Sequence, residues 1–126
     1  MKFKLAEIRA LEGSLSKLNN KELPVKIAYG LGKLLKKVSE ELVSIEEHRV
    51  KLVKKYSTGE DSEGNFEVPK DKEEDFKREF SELLMAEVDF NFDPISISEL
   101  GDITLTPIDM IRLDKLLKED EEKIKE

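Results

Sequence analysis

The chain has 126 residues, of which 40% are charged and 38% hydrophobic, and it carries a net charge of −7. That length suits one domain with a modest core, and the acidity argues against a protein that wraps nucleic acid, which needs a basic footprint. Cysteine is absent, which excludes a disulfide scaffold, a thiol nucleophile and a zinc knuckle.

Taken in order, Phe3 and Leu5 alternate with Lys2 and Lys4, which predicts a short edge strand. The same opening, Met1 to Glu7, meets charge too soon for a signal peptide, and no apolar run approaches the roughly 20 residues of a membrane span. A soluble protein of the cytoplasm is the expectation. From about Ala6 to Asn19, Ile8, Leu11, Leu15 and Leu18 step by three, four and three, so a first helix carries one apolar stripe. Gly13 weakens its middle, and Asn19-Asn20 predicts an ending in left-handed backbone.

The stretch from Pro24 to about Tyr56 dominates the pattern. Ala28, Leu31, Leu35, Val38, Leu42, Ile45, Arg49, Leu52 and Tyr56 are spaced alternately three and four apart, the heptad seam of one amphipathic helix. At about 1.5 Å per residue that helix is on the order of 50 Å long, more than a compact domain of this size needs. Pro24 suits its first turn. Gly30 and Gly32 each cost stability there, and close approach of the first helix is the expected compensation. Val43, Val50 and Val53 form a second apolar strip beside the seam. Leu35, Val38, Leu42, Ile45, Arg49, Leu52 and Tyr56, with Val43 and Val50, are therefore the candidate interface. Arg49 is charged within the seam, and its guanidinium is expected to reach Glu46 or a carboxylate of the third helix.

Residues 57–70 are polar and glycine-bearing, which predicts an exposed loop with a brief extended segment at Phe66 and Val68. A third helix is predicted from Asp71, as its cap, to Glu87, with Phe76, Phe80, Leu83, Leu84 and Glu87 on its face, folding back antiparallel on the second. The period then falls to two: Val88, Phe90 and Phe92 alternate with Asp89, Asn91 and Asp93, a half-buried strand whose phenylalanines face the core. Ile95 and Ile97, then Ile103 and Leu105, repeat the alternation. Thr106-Pro107 opens a last helix lined by Ile108, Ile111, Leu113, Leu116 and Leu117, before a charged tail, 118–126, that is expected to fray. The fold class is α+β, mainly α: a long helical hairpin with a small antiparallel β-sheet and a C-terminal helix, in a single domain, 1–126.

Chemistry finds little purchase. His48, the sole histidine, falls at a flanking heptad position among charges and reads as a surface residue, which leaves no histidine-based metal cluster or general base beside a nucleophile. Glu40/Glu41 and Glu46/Glu47 are helix neighbours that point about 100° apart and do not converge. Asp89, Asn91 and Asp93 resemble the start of a calcium loop, but Pro94 and Leu100 stand where the loop needs glycine and an acid. No enzyme, metal or cofactor is expected.

Lys21-Glu22-Leu23-Pro24-Val25-Lys26-Ile27-Ala28-Tyr29, Glu40-Glu41-Leu42, Glu87 to Ile95 and Ile103-Thr104-Leu105-Thr106-Pro107 together resemble a family of small uncharacterised bacteriophage and prophage proteins, chiefly of Gram-positive hosts. That resemblance implies a small accessory protein in the host cytoplasm or associated with the virion, and carries over no activity or site. The leading expectation is a non-enzymatic module that binds itself, a dimer first, or another phage or host protein through the long helix. One alternative is an acidic host-directed inhibitor, of a defence or nucleic-acid-handling protein. Another is a nucleic-acid binder using the stripe that runs from Lys33, Lys36 and Lys37 to Lys51, Lys54 and Lys55.

Overall fold

In the computed structural model, which describes residues 1–60 and 63–119, the chain is mainly helical α+β. A first strand β1 (Lys2–Lys4) runs directly into helix α1 (Leu5–Asn19). The junction is fastened by Glu7, whose Oε1 accepts from the Lys4 amide at 2.8 Å. That bond, seconded by Lys115, holds the Glu7 carboxyl below its ordinary value. The α1 stripe is the most deeply covered part of the molecule, with Ile8, Leu11, Leu15 and Leu18 all buried. Its end is not left-handed: Asn20 sits at φ −95, and its side-chain amide donates to the Ser16 carbonyl at 3.1 Å.

Helix α2 (Val25–Tyr56) is continuous over 32 residues. Pro24 lies one position outside it as the capping residue, its carbonyl accepting the first helical bond from the Ala28 amide at 2.9 Å. The short link between α1 and α2 forces them antiparallel, and they make the main helix pair. The two glycines of α2 do not serve this contact. A Cβ at Gly30 would meet only the Phe92 ring, at 4.0 Å, and one at Gly32 would meet nothing within 4 Å.

The loop after α2 is closed by a bridge between Glu60 and Phe66, and a 3₁₀ turn (Lys70–Lys72) leads into α3 (Glu73–Leu84). Asp71 therefore sits inside that turn and does not cap the helix. The helix stops at Leu84, because the chain must turn to bring Glu87 into strand β2 (Glu87–Asp89). Helix α3 does return antiparallel along α2, with Glu79 beside Lys55 and Leu84 beside Leu42.

The expected small antiparallel sheet is present, and a separate parallel pair of strands accompanies it. β1 and β2 are antiparallel, with Phe3 opposite Val88, and the Phe3 and Phe90 rings lie 5.6 Å apart inside the core. β3 (Ile95–Ser96) pairs in parallel with β4 (Leu117–Lys118). Between them, Ile97 starts a 3₁₀ turn (Ile97–Leu100), and Ile103 and Leu105 are half-buried without entering a strand. Helix α4 (Pro107–Arg112) begins as Thr106-Pro107 suggests, with the Asp109 amide donating to Thr106 Oγ1 at 3.1 Å. It is shorter than its apolar pattern implies. Ile108 and Ile111 face outward, whereas Leu113 and Leu116 are fully buried from the 3₁₀ turn (Asp114–Leu116) and its entrance. Lys118, expected in the frayed tail, belongs to β4, and residues 120–126 lie outside the described part.

The core is thus built around α1 and not around α2. Leu31, Leu34, Val38 and Ile45 of α2 close it on one side, and Phe3, Phe90, Ile95, Leu113 and Leu116 contribute from the strands and the C-terminal turns.

Candidate functional site

The nine interface candidates fall into three groups. Val38 and Ile45 are buried in the chain's own core and are not available to another molecule. Leu35, Leu42, Arg49, Leu52 and Tyr56 are half-buried on the shoulders of α2. Val43 is 60% exposed and Val50 37%, on the side away from α1, where Val25 at 87% and Tyr29 at 68% lie as well. The inward line of the helix runs through Leu31, Leu34, Val38 and Ile45, so Leu34, outside the expected seam, is buried where Leu35 is only half-covered.

Charge is sorted into blocks along α2. Residues 25–39 hold Lys26, Lys33, Lys36 and Lys37 with no acid; residues 40–47 hold Glu40, Glu41, Glu46 and Glu47 with no base. Residues 48–56 are basic again, through Arg49, Lys51, Lys54 and Lys55. Arg49 makes the contact expected of it: Nε donates to Glu46 Oε1 at 2.9 Å and Nη2 to Oε2 at 2.7 Å. The two-pronged bond pulls the Glu46 carboxyl down and pushes the guanidinium up. Lys55 reaches across to Glu79 of α3 at 2.8 Å, which lowers the Glu79 carboxyl and raises the Lys55 ammonium. Tyr56 beside them is pushed up, first by loss of solvent and then by its hydrogen bond with Glu79.

Two open clefts flank the helix. One of about 450 Å³ lies between α1, α2 and α3, against Ala6, Arg9, Ala10, Glu12, Leu42 and Leu84. The other, of about 480 Å³, is bounded by Arg49, Val50, Val53 and Lys54 of α2, with Phe66 and Phe76 opposite. Their walls are apolar stems and long charged side chains, the surface of a docking groove more than that of a reaction chamber. His48 sits on the exposed side of α2 with Nδ1 2.9 Å from the Ser44 carbonyl. Among the described residues no group of three or more His, Cys, Asp or Glu is placed to hold a metal ion.

The strongest electrostatic feature was not anticipated from the sequence. Asp109 is buried, and its carboxylate accepts from Ser14 Oγ at 2.7 Å, from the Thr106 amide at 3.0 Å and from the Lys17 ammonium. Lys17, then Ser14 and Thr106, hold its carboxyl far below the usual range. The spacing Thr106-x-x-Asp109 is a legible capping box, and a serine within the α1 leucine stripe is a second signal. With both oxygens bonded to α1 and its own cap, Asp109 ties α1 to α4.

Compared with protein-family models, with curated proteins and with solved structures, the chain matches none at a significant level.

Proposed function

We propose that this is a non-enzymatic interaction protein whose working surface is the outer side of α2, and that its first partner is a second copy of itself. The observation that supports the reading is the set of exposed apolar residues, Val25, Tyr29, Val43 and Val50, on one side of an unbroken 32-residue helix whose opposite side is already packed. Surface apolar residues scattered singly need no explanation, but two pairs on one side of a rigid rod, Val25 with Tyr29 and Val43 with Val50, offer a partner helix two apolar anchors. An accessory role in a phage-carrying host, in its cytoplasm or with the virion, is part of this proposal, and the segments from Lys21 to Tyr29 and from Glu87 to Ile95 support it.

Light scattering across a concentration series tests it. The expected result is a mass rising towards twice the 14.5 kDa of the chain. A constant monomer mass up to the highest concentration overturns the self-partner reading.

A further inference from the structure

On the outer face of α2 a second heptad series runs beside the packed one. Val25, Tyr29, Gly32, Ser39, Val43 and Val50 fall on alternating steps of four and three, with Lys36 and Glu46 completing the series. Val25, Tyr29 and Val43 are well exposed, and Gly32 faces open space. A helix-interior glycine costs up to about 1 kcal/mol relative to alanine, and nothing inside the described chain compensates for Gly32. What a bare backbone at an exposed seam position does permit is the close approach of another helix.

Charge then identifies that helix. Lys26, Lys33, Glu40 and Glu47 occupy successive positions along one flank of the outer seam, and none of them makes an ion pair among the described residues. The opposite flank carries the half-buried Leu35, Leu42 and Arg49. When two such helices lie antiparallel, like flanks meet across the seam. A single register sets Val25 against the partner's Val50 and Gly32 against the partner's Val43. In that register Lys26 faces the partner's Glu47 and Lys33 faces the partner's Glu40. Sliding the pair by one heptad places Glu40 against its own copy in one direction and Lys33 against its own copy in the other. A parallel pair sets Leu35 beside Glu40, Leu42 beside Glu47 and Arg49 beside Lys54.

We infer that two copies of this chain join through the outer faces of α2, antiparallel about a two-fold axis near residues 37 and 38, with Gly32 packed under the partner's Val43. This rests on the self-partner reading and specifies its geometry. The interface is isologous, so every contact occurs twice and the assembly closes at two copies.

Paired cysteines test the geometry directly, because the chain has none of its own. Gly32 and Val43 are about 16 Å apart along one helix, too far for a bridge within a chain. Under mild oxidation of dilute protein, the Gly32→Cys/Val43→Cys variant is expected to become a covalent dimer that a thiol reductant separates, and the Gly32→Cys/Val50→Cys variant to form no covalent dimer. Lys33→Glu is expected to weaken dimerisation by roughly tenfold, as Glu40→Lys does, and the double exchange to restore it, since positions 33 and 40 are too distant to pair within one helix. A dimer by light scattering that bridges through 32 and 50, or that the double exchange fails to rescue, overturns this register while sparing self-association. A monomer by light scattering overturns both.

Discussion

Ser14 and Asp109 stand 95 residues apart in sequence, and the Ser14 hydroxyl donates to Asp109 Oδ1 at 2.7 Å inside the protein. With Lys17 on the other oxygen, this contact is the polar seam by which the most buried helix holds the C-terminal turns. The carboxylate is tolerated there because each oxygen is met by a donor.

Asp109→Ala is therefore expected to lower the melting temperature by several degrees at neutral pH, by stranding the Ser14 hydroxyl and the Thr106 amide. The effect depends on acidity in a defined direction. The folded carboxyl is depressed below its ordinary value of 3.8, so its contribution is fully present above that value and is lost as pH falls towards the folded one. The stability gap between wild type and Asp109→Ala should be flat from neutrality down to about pH 5 and should shrink below pH 4, as followed by urea unfolding at each pH.

Leu34 and Val43 provide the test of how α2 is turned. Leu34 is buried, and Leu34→Ala should cost about 2–5 kcal/mol in urea unfolding. Val43 is exposed, and Val43→Ala measured in dilute monomer should stay within about 0.5 kcal/mol of wild type.

How much of this was legible is best seen on the same helix. The span of α2, the α1 stripe and the Thr106-Pro107 start are local patterns, and the structure has each within a residue or two of where the pattern puts it. Which side of α2 faces inward is not local. The seam consists of two lines, and the core lies on the side of Leu31, Val38 and Ile45 that is turned towards Leu34 and away from Leu35, a choice that tertiary packing makes and periodicity does not. Leu35 and Leu42 therefore ride on the shoulder, Ala28 is exposed, and Leu34 takes the buried place. The parallel β3–β4 pair and the Ser14–Asp109 contact join segments far apart in the chain, where periodicity carries no signal. Of the interface candidates, Val43 and Val50 lie on the exposed face because their strip is offset from the packed line by most of a half-turn.

Gly13 and Gly32 make a matched pair for the next measurement. Both sit in helices with no atom within 4 Å of an added Cβ, so each alanine substitution should stabilise the monomer by roughly 0.5–1 kcal/mol. Only Gly32→Ala should also weaken self-association, as read by light scattering. Equal behaviour of the two variants in association would remove Gly32 from the interface.

Leu113 and Leu116 are fully buried and follow the last α-helical residue, Arg112. A chain stopped after Arg112 lacks both leucines, a loss of about 4–10 kcal/mol, comparable to the whole stability of a small domain. Circular dichroism of that truncation should show no cooperative thermal transition.

The lateness of those leucines also governs the order of events during synthesis. Ile8, Leu11 and Leu15 leave the ribosome early, yet the side chains that seal them against water are translated about a hundred residues later. Until then the nascent protein carries a leucine stripe that α2 covers on one side only. Its vulnerability to aggregation and to chaperone capture is concentrated in that interval, and ends when the far end of the chain swings back onto the first helix.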